Sequence, residues 1–164
     1  MPTLLGREKM KRILFCFVIF GLLLPITSCR ELPTASALAQ GFLDAYGSFG
    51  VLFSPEIEEG ERGYVRDGFF ETLYGDYLGS VSDYALILHS DGEHVSECAV
   101  LIAVSQYDAV LLTDAMYTRL DLIRSVASDD SSLEGAFVMR GGLLVVMCAV
   151  ADNTRAEKIW KKLM

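Results

Sequence analysis

Two apolar segments, VLIAV at residues 100–104 and LLVVMCAV at residues 143–150, constrain the fold more than any other feature. Successive side chains of a strand point to opposite faces of its sheet, so a strand that is apolar throughout belongs inside a sheet covered on both sides. Each segment follows a shorter strand-like segment and a glycine dipeptide, Asp91-Gly92 or Gly141-Gly142. Such dipeptides favour tight turns, because glycine readily adopts positive φ. The pattern predicts two antiparallel hairpins, with strands over residues 83–89, 95–104, 133–140 and 143–151.

Helical periodicity organises the rest of residues 35–164. Helices are predicted over residues 35–46, 69–74, 108–127 and from about residue 152 to the C-terminus. The expected N-caps are Thr34 or Ser36, then Asp108, then Asp152 or Thr154. Residues 48–68 carry no period and predict an acidic loop, whose glutamates lack the ligand pattern of a calcium loop. The expected class is a single α+β domain, in which a mainly antiparallel sheet of about four strands carries a long crossover helix and terminal helices.

One charge interrupts the apolar face predicted for the longest helix. Arg119 falls in the middle of that face, which comprises Leu112, Ala115, Met116, Leu122, Ile123 and Val126. An isolated buried guanidinium costs several kcal/mol, so Arg119 needs a partner or a route to solvent. Three interpretations stay open. Arg119 forms a structural ion pair with Glu97, Glu134 or Asp83, binds an anionic ligand in a cleft, or extends its charged end to the surface.

The densest polar cluster lies around the first predicted turn. His89, Asp91, His94 and Glu97 are candidate zinc ligands, because imidazole and carboxylate groups are usual ligands of that ion. The two histidines flank a turn and lack the spacing that places ligands on one helix face, so a solvated hairpin tip without metal is favoured and no cofactor is predicted. The sequence also lacks the Gly-x-Ser-x-Gly, phosphate-binding and His-Glu-x-x-His motifs.

Two cysteines lie in the predicted central strands. Cys98 and Cys148 would form a disulfide if their strands are neighbours and their side chains share a face. The alternative is a pair of free, buried thiols, since cysteine is among the residue types most often found in protein cores. The second interpretation is favoured.

The N-terminal region has the three parts of an export signal. A basic segment, Met10-Lys11-Arg12, precedes an apolar run over residues 13–24 and the segment Pro25-Ile26-Thr27-Ser28-Cys29. The apolar run is shorter than the roughly 20 residues of a transmembrane helix. The sequence Ile26-Thr27-Ser28-Cys29 resembles the lipobox of bacterial lipoproteins, which implies that Cys29 is lipid-modified and becomes the first residue. We expect translation to start at Met10, residues 1–28 to form the signal peptide and residues 29–34 a lipidated tether.

Charge argues against one class of partner. The chain from Cys29 onward has 10 Lys and Arg against 21 Asp and Glu, a net charge of −11. Such a surface repels nucleic acid and anionic headgroups. We therefore expect contact with the membrane through the lipid on Cys29, and no nucleic-acid partner.

The order of elements behind the lipobox resembles a family of small uncharacterised lipoproteins of Gram-positive bacteria, known as a domain of unknown function. The resemblance rests on LYGDYLGSVSDYALIL, ECAVLIAVS, Arg119 in the long helix and VMRGGLLVVMCAV. It implies a lipid-anchored protein on the extracytoplasmic side of the cell membrane and assigns no catalytic residue.

Two hypotheses for function follow. The first is a non-enzymatic module that binds an envelope protein or a small ligand. The alternative is a metal-dependent hydrolase that acts on envelope material through the His89/His94 hairpin.

Overall fold

A five-stranded antiparallel sheet lies between two layers of helices. The structure is a computed structural model that describes residues 33–47, 49–90, 95–127 and 133–164. In chain order the elements are α1 (Ala35–Tyr46), β1 (Val51–Phe53), α2 (Phe69–Tyr74), β2 (Val81–Ser90), β3 (Val95–Ala103), α3 (Gln106–Val126), β4 (Phe137–Gly141), β5 (Leu144–Ala149) and α4 (Asn153–Leu163). A short 3₁₀ turn, Leu78–Ser80, precedes β2.

The sheet confirms the predicted class and both hairpins. Its strand order is β1-β2-β3-β5-β4, and every neighbouring pair is antiparallel. The two apolar strands, β3 and β5, are adjacent and central, and every residue of β5 is buried. The packing of both sheet faces therefore explains why neither strand alternates between apolar and polar residues.

A fifth strand lies where the sequence predicts only a loop. Strand β1 has three residues and pairs with β2, with Val51 opposite Leu88 and Phe53 opposite Leu86. The prediction of a loop over residues 48–68 is wrong at this point. Three residues are too few to establish a period of two, and their pairing depends on a strand more than 30 residues away in sequence.

Alternation along the central strands separates two cores. One face contributes Leu86, Leu101 and Met147, which pack with α2 and α3. The other contributes Ile87, Val100 and Val146, which pack with α1 and α4. Residues 33–164 form one compact unit, which contains the described members of both cores.

The long helix α3 differs from its prediction in its cap and its buried face. Ser105 is the N-cap, and its hydroxyl accepts a hydrogen bond from the Asp108 amide at 3.2 Å. Leu120 is buried, whereas Leu122 and Val126 are 53 % and 76 % exposed. The sequence period alone does not define which flank of a broad apolar stripe the sheet covers, and the predicted face was therefore centred too far to one side.

The first and last helices fix the two ends of the domain. The Ala35 amide donates to Asp83 Oδ2 at 2.6 Å, which places the start of α1 beside the start of β2. We call this the amino end. The Asp152 amide donates to Tyr46 Oη at 2.8 Å, so the end of α1 meets the start of α4 at the opposite end. Asp152, one of the two predicted caps, also accepts from the Arg155 amide.

Candidate functional site

A buried cluster of three ionisable side chains joins β3 to helices α2 and α3. Glu97 is 1 % exposed and accepts hydrogen bonds from one side chain of each helix. Tyr74 Oη donates to Glu97 Oε1 at 2.6 Å. Arg119 Nε lies 3.1 and 3.2 Å from the two carboxylate oxygens, and Arg119 Nη2 lies 2.7 Å from Oε2. The arginine therefore grips the carboxylate through two nitrogens, which is the strong geometry for such a pair.

The electrostatics of the cluster favour a charged guanidinium and a neutral phenol. Burial, and then the charge of Glu97, raise the pKa of Tyr74 well above its usual value. Burial by itself acts to lower the pKa of Arg119, but the hydrogen bonds and charge of Glu97 outweigh it and raise that pKa. At neutral pH the guanidinium is thus charged and the tyrosine hydroxyl keeps its proton.

The ion pair selects one of the three acids considered as partners of Arg119. Glu97 is that partner, whereas the Asp83 carboxylate accepts from the Ala35 amide and Glu134 is exposed. Both oxygens of Glu97 are already engaged, and the group is enclosed. Glu97 is therefore not positioned to accept a proton from a substrate, and the cluster fastens α3 to the sheet. Tyr74 was missed as a member because nothing in its local sequence indicates a polar contact.

The two candidate zinc ligands that the structure describes, His89 and Glu97, lie on opposite faces of the sheet. Glu97 is paired with Leu88 and lies on the face of Ala99, whereas His89 is paired with Ser96 and follows the face of Ile87. His89 and Glu97 therefore point to opposite faces and do not form one site, because side chains alternate along strands. Asp91 and His94 lie outside the described residues. Within those residues no group of three or more metal-binding side chains is found.

Cys98 and Cys148 lie directly opposite each other on β3 and β5. Both are free thiols, fully buried on the face that packs with α1 and α4. Burial first, and then hydrogen bonding to Cys148, raise the pKa of the Cys98 thiol well above its usual value. The two cysteines meet the condition of adjacent strands and a shared face, but the structure contains thiols and no disulfide between them.

A groove of about 580 Å³ opens beside the last turns of α1, at the end of the domain opposite the amino end. The second half of α1 and strand β1 form its walls, and residues of the acidic loop complete it. Its polar side chains are Gln40, Asp44 and Arg62, and its apolar side chains include Leu43, Leu52 and Ile57. Gln40 Nε2 donates to Asp44 Oδ1 at 2.8 Å. The groove thus presents opposite charges beside an apolar wall, a composition suited to binding without a catalytic group.

The sequence pattern did not predict this groove, because β1 and the loop that carries Arg62 reach α1 only through tertiary contacts.

Comparison of the chain with protein-family models, curated proteins and solved structures found no match. Among the described helices, none is both long enough and apolar enough to cross a membrane. Cys29, the predicted lipidation site, lies outside the described residues.

Proposed function

We propose that this protein is an exported bacterial lipoprotein, anchored by a lipid on Cys29, whose domain is a non-enzymatic binding module at the cell envelope. The observation that carries the proposal is the position of the lipobox relative to the folded unit. The compact unit begins at Pro33, four residues after Cys29. A processed chain would therefore consist of a lipid, a very short tether and a complete domain.

The tether length supports a fixed relation between the anchor and the groove. The four residue steps from Cys29 to Pro33 span at most about 14 Å, and the six steps from Cys29 to Ala35 span at most about 22 Å. The tether enters at the amino end, where Ala35 contacts Asp83, whereas the groove lies beside the last turns of α1. A 12-residue helix is about 18 Å long, so the groove would open away from the bilayer.

The groove supports binding of a small ligand or a segment of another envelope protein. Arg62 is exposed and lines the groove, where it is available to an anionic group. Leu43 and Leu52 supply apolar surface beside it. The enclosed Glu97 and Arg119 lie in the other core, which separates the binding surface from the only buried ion pair among the described residues.

Anchoring is tested by expression of the wild-type protein and Cys29→Ala in a bacterium that processes lipoproteins. The wild-type protein should partition into detergent and carry the mass of a diacylglyceryl group on residue 29. The variant should lack that mass and leave the membrane fraction. Equal membrane retention of both proteins, with no lipid on the wild type, contradicts the proposal.

Binding is tested by thermal-shift measurements with peptidoglycan fragments, sugars and short envelope peptides as probes. A probe present at 100 times its Kd stabilises the folded state by about 2.7 kcal/mol. Arg62→Ala should abolish the shift, whereas Arg66→Ala, an exposed arginine outside the groove, should retain it. A shift that is equal in both variants would place binding elsewhere.

A further inference from the structure

Three large apolar side chains are exposed together at the amino end. Leu78, Val104 and Tyr107 are 42 %, 57 % and 72 % exposed. Leu78 begins the 3₁₀ turn before β2, Val104 lies in the connection from β3 to α3, and Tyr107 is in the first turn of α3. We call these three residues the apolar rim. The Val104 amide donates to the Ser80 carbonyl at 3.0 Å, which holds the two parts of the rim side by side.

The rim lies at the same end of the sheet as the entry of the tether. Asp83, which accepts from the Ala35 amide, is paired with Ile102 on the neighbouring strand. Val104 follows two residues later. Neighbouring strands are about 4.8 Å apart, so Ala35 and the rim are separated by a short distance across the end of β2 and β3.

We propose that the apolar rim rests on the lipid bilayer when the protein is anchored, so that the domain has one fixed orientation on the membrane. This inference rests on the proposed lipidation of Cys29. The six residue steps from Cys29 to Ala35 span at most about 22 Å, which keeps the amino end near the headgroups, where an apolar surface next to it is buried at low entropic cost. Tyrosine is one of the residues enriched at that level, because its ring is apolar and its hydroxyl is polar.

Charges of both signs lie at this end, including the exposed carboxylate of Asp76 two residues before Leu78, so we expect a zwitterionic bilayer to suit it better than an anionic one. The carboxylate of Asp83 is engaged with the Ala35 amide, and that of Asp108 with the Ser105 hydroxyl. Lys161, which is paired with Glu157, and Lys162 lie in the last turn of α4, and Met164, the residue after that helix, reaches Gly141 at the end of β4. Two lysines and a half-exposed methionine thus continue the surface that would face the headgroups.

The test uses the mature lipidated protein in phosphatidylcholine vesicles that contain nitroxide-labelled lipid. Tyr107→Cys carries a thiol-linked fluorophore, and Val126→Cys on the same helix is the matched control. Val126 is also apolar and is 76 % exposed, but it lies about 28 Å further along the helix axis. Cys98 and Cys148 are fully buried, so the introduced thiol is the one labelled in the folded domain. We expect several-fold stronger quenching at position 107 than at position 126.

Two further measurements keep the outcomes distinct. Vesicle flotation reports anchoring, and the fluorescence of Trp160, the single tryptophan, reports folding. If Tyr107→Cys does not fold, Val104→Cys replaces it. Flotation with equal quenching at both positions overturns the orientation while the anchoring stands. Failure of the folded protein to float overturns both.

Discussion

At the residue scale, the pair formed by Arg119 and Glu97 shows how a charge is accommodated in an apolar interface. The arginine side chain is 18 % exposed and the glutamate 1 % exposed. Desolvation of both groups offsets most of their attraction, so the pair adds little net stability, but the loss of one member leaves a buried charge without a partner. The contribution of each residue therefore depends on the presence of the other.

Arg119→Met should lower the free energy of unfolding by about 3–5 kcal/mol, because Glu97 stays buried without its partner. The triple variant Arg119→Met/Glu97→Leu/Tyr74→Phe should recover most of this loss, because it leaves none of the three buried polar groups without a partner. Urea denaturation measures both. Lys161→Ala serves as the control, since its pair with Glu157 is exposed and should be worth less than about 1 kcal/mol. Equal losses for Arg119→Met and Lys161→Ala would contradict a buried pair.

Tyr74→Phe should cost about 1.5–3 kcal/mol at pH 7, since it removes a hydrogen bond to a buried carboxylate. The pKa of Tyr74 is higher in the folded than in the unfolded state. Its contribution is therefore complete below the usual tyrosine pKa of about 10 and decreases as the pH rises above it, because the unfolded chain loses that proton first. Unfolding curves at pH 7 and pH 10.5 should show a smaller loss of stability in the variant than in the wild type.

Cys98 and Cys148 should resist alkylation in the folded protein. Both are fully buried, and the raised pKa of Cys98 keeps its thiol protonated and unreactive. For the fragment of residues 30–164, in which these are the two cysteines, intact mass should show no label under native conditions and two labels after denaturation without reductant. The absence of label on both cysteines after denaturation would instead indicate the disulfide.

At the element scale, β1 and the following loop depend on one close backbone approach. Gly63 has a φ of +99°, and a Cβ on it would lie 1.9 Å from the Leu52 carbonyl oxygen. Gly60 has a φ of +95°, but a Cβ there would meet no atom within 4 Å. Both glycines therefore need a positive φ, but only Gly63 lies so close to another backbone segment that a Cβ would clash with it.

Gly60→Ala should cost about 1–2 kcal/mol, the usual penalty for a side chain in the left-handed region. Gly63→Ala should cost clearly more, because the loop must also move away from β1. Thermal unfolding of the two variants measures the difference, and probe binding should weaken only in Gly63→Ala, since Leu52 and Arg62 line the groove. Equal stability of the two variants would show that the contact with Leu52 is unimportant.

At the scale of the whole molecule, the two faces of the sheet have different roles. The face under α2 and α3 contains the ion pair, and the face under α1 and α4 contains the two thiols and Trp160 stacked on Phe42 with ring centres 4.9 Å apart. The groove lies beside the last turns of α1, at the end of the domain opposite the amino end. The apolar rim lies at the amino end, beside the start of α3. A lipid on Cys29 would place the apolar rim next to the membrane and the groove away from it.

Residues 30–164 should fold without the N-terminal region, because residues 33–164 form one compact unit that contains the described members of both cores. We expect a single cooperative thermal transition for this fragment, monitored by circular dichroism and by Trp160 fluorescence at the same time. Non-coincident transitions, or an unfolded fragment, would show that the preceding residues contribute to stability.

Much of the secondary structure was predictable because its signals are local. Helices α1 and α2 have the predicted bounds, and the glycine dipeptide Gly141-Gly142 lies at the second predicted turn. Arg119 was recognisable as a residue in need of a partner. The choice of Glu97 over Asp83 was not predictable, because it depends on which strand passes beneath that turn of α3.

The sequence by itself determined the α+β class, the two hairpins and their apolar central strands, because alternation and helical period are properties of neighbouring residues. It also contains the segment Ile26-Thr27-Ser28-Cys29, whose resemblance to a lipobox is the basis of the proposed anchoring. Only the tertiary structure decided the pairing of β1, the separation of His89 from Glu97, and the assembly of the groove from Asp44, Leu52 and Arg62. These features join residues distant in sequence, and their contacts depend on strand register and on which helix covers each face of the sheet.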